Sequence, residues 1–83
     1  MKLKELSKER PLLEGMLRRI NTDTEELKKS PSHENITKQS NGHHEISGYI
    51  WGLYESGIIT AEERNESIDE LMKFQEVHNE KVN

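Results

Sequence analysis

The sequence predicts an all-α protein, with an N-terminal helical segment over 1–29, a linker over 30–42 and a helical hairpin over 43–79. Three observations predict it. Apolar residues recur at helical spacing in three separate stretches. Gly57, a helix stop, is followed by Thr60 and Glu63, a capping box that starts the next helix. The chain has 83 residues, of which 30% are hydrophobic and 34% charged, so its core is thin. Such a chain is expected to pack as a small three-helix bundle or as a helical homodimer.

In the first segment Leu13, Met16, Leu17 and Ile20 fall on one helix face, and Leu12 widens the stripe. Pro11 fits the first turn, where its missing N–H costs nothing. Leu3 and Leu6 suit a short helical lead-in. Beyond Ile20 two readings stand. Thr22 and Glu25 could cap a new helix; Thr24 and Leu27 keep the old phase and favour one helix to about Lys29. Lys28 and Lys29 suit a helix C-terminus.

Residues 30–42 are polar and turn-forming, with Ile36 the one large apolar side chain, which predicts a linker. The hairpin's first helix follows from about Gly42 to Ser56. Ile46, Ile50, Leu53 and Tyr54 share a face, Tyr49 lies beside them, and Trp51 falls roughly opposite. Gly48 and Gly52 each weaken that helix by about 1 kcal/mol against alanine, which suggests close approach of another helix. Gly57 ends it in the left-handed conformation. Ile58 and Ile59 form the corner. The last helix runs from Thr60 to about His78, with Ile68, Leu71, Met72 and Gln75 in phase and Phe74 and Val77 off the stripe. Asn79 to Asn83 should fray.

The corner from Tyr54 to Arg64, Tyr-Glu-Ser-Gly-Ile-Ile-Thr-Ala-Glu-Glu-Arg, followed by Leu71-Met72, resembles the short C-terminal helical module called SHOCT. The likeness covers residues 54–72 and implies a packing or oligomerisation module. The aromatic first helix and the acidic second helix depart from that family. In general style the chain is similar to small accessory proteins of phages and mobile elements.

Charge separates the two halves. Residues 1–30 carry eight basic and six acidic groups; residues 46–83 carry three basic and eight acidic ones. The last helix carries Glu62, Glu63, Glu66, Asp69 and Glu70 against Arg64 and Lys73, so it would meet phosphates with the wrong sign. DNA reading by the hairpin is therefore not expected. Only weak nucleic-acid binding could come from the N-terminal helix, with Arg10, Arg18, Arg19, Lys28 and Lys29. An acidic helix face can instead mimic nucleic-acid phosphates and occupy a basic groove on a partner.

No metal or other cofactor is expected. The chain has no cysteine, and His33, His43, His44 and His78 show no H-x3-H or H-E-x-x-H spacing. No catalytic residues are expected either, because there is no phosphate loop or nucleophile motif and little room for a pocket. Met1 to Lys4 is basic but runs into Glu5, Lys8, Glu9 and Arg10 rather than an apolar stretch, so no secretory leader is expected. No apolar run reaches the roughly 20 residues of a membrane span. A cytoplasmic location follows as an expectation, and Asn35-Ile36-Thr37 and Asn65-Glu66-Ser67 are then chance matches to the glycosylation pattern.

The residues left to carry function are the aromatics and the acidic face. The expected partner-binding set is Tyr49, Trp51, Glu62, Glu66, Asp69 and Glu70. Tyr and Trp bury much area at small entropic cost. The expected role is an interaction module, an adaptor or inhibitor of a larger protein. The alternatives are a self-assembling homo-oligomer and a weak nucleic-acid binder.

Overall fold

Four helices make up the described part of the chain, and no strand occurs there: α1 (Lys2–Ser7), α2 (Pro11–Lys29), α3 (His33–Glu55) and α4 (Ala61–Val82). The structure is a computed structural model that describes residues 2–82, with side chains described through Lys73. α2, α3 and α4 form a bundle 39 Å long, and α1 crosses its corner end against α4 and α2. The all-α class stands.

α2 is one continuous helix. Leu13, Met16, Ile20, Thr24 and Leu27 are its buried residues, a single stripe through the position where a break was possible. Thr22 does not cap; its Oγ1 donates to the Arg18 carbonyl oxygen at 3.2 Å, one turn back. Leu12 does not widen the stripe. It is 66% exposed, because it precedes Leu13 by about 100° of rotation.

The linker expected over 30–42 is corrected: α3 begins at His33, so only Ser30, Pro31 and Ser32 join it to α2. Pro31 forces the preceding residue out of the helical region, and Ser30 sits at φ −141°, ψ 81°. Ser32 then caps α3, its Oγ accepting from the Asn35 N–H at 3.2 Å. The Asn35 side-chain amide donates back to the Ser30 carbonyl at 2.8 Å. The buried face runs on through the polar stretch as Gln39, Gly42, Ile46, Ile50 and Leu53. Gln39 is satisfied there by Thr24, whose Oγ1 lies 3.1 Å from its Nε2. The Ile20 side chain packs beside Gly42.

The hairpin corner forms as expected. Gly57 has φ +77°. The Gly57 N–H donates to the Tyr54 carbonyl at 3.0 Å and the Ile58 N–H to the Leu53 carbonyl at 2.9 Å, which is the Schellman pair. The Thr60 N–H donates to Glu63 Oε1 at 3.0 Å, and the Glu63 N–H to Thr60 Oγ1 at 3.1 Å, completing the capping box. Ile59 turns into the core while Ile58 stays 54% exposed.

α4 reaches Val82, beyond the end expected near His78. The readings of Phe74, Gln75, Val77 and His78, and the fraying from Asn79 onward, lie outside the described side chains. Within them Leu71 is fully buried and Ile68 half-buried, whereas Met72 is 47% exposed and leaves the expected stripe. The core joins all four helices through Leu3, Leu13, Met16, Ile20, Ile46, Ile50, Leu53, Ile59 and Leu71. Ser67 is also fully buried, and its hydroxyl has no hydrogen-bond partner.

Candidate partner-docking site

The corner that folds α4 back along α3 sets the first turn of α4 beside the last turn of α3. Trp51 and Tyr54 stand three residues apart on that last turn, rings edge-on with centroids 6.0 Å apart at 86°. Arg64, one turn into α4, lays its guanidinium 4.5 Å from the Trp51 ring centroid and 4.3 Å from that of Tyr54. Asn65 Oδ1 holds the guanidinium in place, accepting from Arg64 Nε at 3.2 Å and from its Nη2 at 3.0 Å. The cation is attracted by both ring faces, each such contact contributing about 0.5–1 kcal/mol at an exposed site. Trp51 remains 45% exposed, and Ile58, on the corner itself, is 54% exposed. Tryptophan, tyrosine and arginine are the residue types that dominate interface energetics, and here all three are held rigidly on helices.

The expected site divides under this geometry. Trp51 is at the surface, but Tyr49 is not beside it. Two residues apart on a helix point in nearly opposite directions, and Tyr49 is half-buried against the core. Glu62, Glu66 and Asp69 are exposed along one face of α4. Glu70 is the correction on that helix. Its carboxylate caps α1, accepting from the Lys2 backbone N–H at 2.5 Å and from the Leu3 N–H at 2.9 Å. A carboxylate bound to the positive end of a helix is occupied inside the molecule. Glu63 is occupied too. It serves the capping box and meets Lys2 Nζ at 3.3 Å. The Thr60 N–H, then Lys2, hold its carboxyl below the usual carboxylate range. Glu5, then Glu63, raise the Lys2 ammonium.

Tyr54 and Arg64 join the site without having been expected in it. The signal was present: a tight corner after Tyr54 must bring the residue four beyond Thr60 back beside the aromatic turn.

Elsewhere the charges pair among themselves. Arg18 pairs with Glu14, Arg19 with Glu45 at 3.5 Å, Lys28 with Glu25 at 3.2 Å and Lys38 with Glu34 at 3.7 Å. Arg18, Arg19 and Lys28 of α2 thus present carboxylates alongside their charge, a poor match to a phosphate backbone. A shallow groove of about 360 Å³ lies between α2 and α3, lined by Arg19, Asp23, Glu26, Lys38, Asn41, Gly42 and Glu45. Its lining is charged with both signs and contains no histidine, serine or threonine.

His43 and His44 stand edge-on at 6.0 Å. Among the described residues no group of three or more His, Asp or Glu side chains is placed to hold a metal ion. His43 is half-buried and its Nε2 has no partner. Burial, and then the neighbouring His44, push its pKa below the ordinary value. No described helix is long and apolar enough to cross a membrane. No protein family, curated protein or solved structure matches the chain.

Proposed function

We propose that this chain is a non-enzymatic protein–protein interaction module, a small cytoplasmic adaptor or inhibitor that docks on a larger protein through the Trp51 corner. The observation that carries the reading is the half-exposed Trp51 held with Tyr54 and Arg64 in one rigid cluster. Indole surface left in water at that site gains by burial against a partner, and its rotamer is already fixed, so little ordering remains to be done on binding. The location rests on the cysteine-free composition. The SHOCT-like corner over 54–72 agrees with a packing module.

The test is capture of partners from a native lysate with the tagged wild-type chain and with Trp51→Ala. One stoichiometric protein, retained by wild type and lost with the variant, is the expected result. Equal capture by both would assign binding to another surface. A second reading, self-assembly, is favoured by Leu12, which is 66% exposed on α2. It predicts a concentration-dependent sedimentation coefficient that Leu12→Gln abolishes.

A further inference from the structure

Asn41 is followed by Gly42, the one Asn-Gly step in the chain. Asparagine is a chemically labile side chain, and a glycine after it leaves the backbone nitrogen unshielded, because no Cβ stands beside it. The structure holds this step inside α3. Asn41 is exposed, whereas Gly42 is buried with the Ile20 side chain packed beside it. In a helix the Gly42 N–H donates to the carbonyl four residues back. The helical ψ of Asn41 also turns that nitrogen away from the Asn41 side-chain carbonyl carbon. The two atoms meet only when this part of α3 opens. Over residues 33–42 the buried residues are Gln39 and Gly42, and the one large apolar side chain, Ile36, is half-buried. The start of α3 is fixed by the Ser32 cap and by the Asn35 amide on the Ser30 carbonyl. Segments with little apolar burial open locally at a lower free energy than the whole molecule.

We propose that Asn41–Gly42 is a spontaneous covalent modification site, switched on by local opening of the first turns of α3. In the opened segment the Gly42 nitrogen attacks the Asn41 side-chain carbonyl carbon. A carbon–nitrogen bond forms between them, and the bond to the side-chain amide nitrogen breaks. The Gly42 amide proton passes through water to that leaving nitrogen, and ammonia departs from a cyclic imide. Water then adds at either ring carbonyl and leaves aspartate or isoaspartate at position 41. Both products bring a new carboxylate to the groove between α2 and α3, beside Asp23, Glu26 and Glu45. The like-charge pair with Glu45, four residues on, opposes the helix. Isoaspartate also adds a methylene to the main chain, which breaks the helical register where Gly42 packs beside Ile20. The modification therefore holds open the segment that permitted it. It does not depend on the Trp51 corner being a docking surface.

The test is incubation of the intact 83-residue chain at mildly alkaline pH, with isoaspartate located by peptide mapping and mass spectrometry. Position 41 should convert ahead of Asn21, Asn35 and Asn65, and about tenfold or more slowly than in the chain unfolded by urea. Ser32→Ala removes the cap of α3 and should speed the conversion about fivefold. Gly57→Ala, a change of similar cost at the corner, should leave the rate as it is. Gly42→Ala should all but stop it. The added Cβ would meet Ile20 at 3.7 Å, an ordinary contact, and circular dichroism should show that variant folded. No conversion at position 41 in the folded wild type or in Ser32→Ala, while the urea-unfolded chain converts, would overturn the site. Conversion as fast folded as unfolded would overturn the gating by α3. Equal acceleration by Ser32→Ala and Gly57→Ala would make the opening global and overturn the local gate.

Discussion

The two ends of this bundle are built differently. At the corner end, three helices and the α1 strap enclose Leu3, Leu13, Ile50, Leu53, Ile59 and Leu71, and the chain reversal is fixed by a Schellman pair and a complete capping box. At the far end, where α2 stops and α3 starts, the buried contacts among the described side chains are Leu27 and the Gln39–Thr24 hydrogen bond. One end is held by apolar burial and local backbone chemistry. Among the described side chains, the other shows one buried leucine and a polar pair that must find each other. The lesson is where such a small chain can keep a functional surface. Half-exposed aromatics cost least where the scaffold beneath them is already rigid, and the Trp51 cluster lies on the corner end.

The largest effect expected from this contrast is at Ile50, fully buried in the corner core. Ile50→Ala should cost about 3–4 kcal/mol in urea unfolding, within the range for core truncations. Leu27→Ala should cost nearer 2 kcal/mol, because Leu27, though buried, stands outside the core cluster that joins the four helices. Equal losses would break the contrast.

Next comes the chain reversal. Gly57→Ala places a Cβ at φ +77° and should cost about 1–2 kcal/mol. The thermal midpoint should fall with no change in helical content at low temperature.

Ser67→Ala runs the other way. The hydroxyl is fully buried and unpartnered, so its removal should stabilise the chain by about 1 kcal/mol. A stability loss on Ser67→Ala would mean that the hydroxyl is satisfied in solution.

The smallest effect probes the middle of α3. His43 has its pKa lowered in the folded chain, so the unfolded chain binds more protons as pH falls through the ordinary histidine value near 6.5. Stability is therefore fully present above that pH and declines below it, down to the folded pKa. The thermal midpoint of wild type should drop between pH 7 and pH 5 by more than that of His43→Gln. Identical slopes would place His43 in water.

The sequence carried the corner end well, because its devices are local. Gly57, Thr60 and Glu63 each act within four residues, so their geometry can be read without knowing what packs on them. The far end was misread because its signals depend on contacts made at a distance. Gln39 looks like a solvated residue until Thr24, fifteen positions earlier, supplies its partner. Gly42 looks like a turn residue until Ile20 packs beside it. The Ser32 cap was local, but without an apolar run behind it the start of α3 read as a loop. The candidate site was half legible for the same reason. Trp51 stood out by its phase, opposite the apolar stripe. Tyr54 and Arg64 join it only through the fold of the corner, and Glu70 left the acidic face because α1, far off in sequence, takes its carboxylate.

The most direct test of the central claim is calorimetric titration of the captured partner against wild type and Trp51→Ala, with the thermal midpoint of each recorded on the same samples. A surface aromatic that anchors binding should lose about 30-fold or more in affinity on truncation, while the midpoint moves by only a few degrees, since Trp51 lies outside the buried core. Unchanged affinity would contradict the account. So would a collapse of the midpoint in step with the affinity, which would make Trp51 a part of the scaffold.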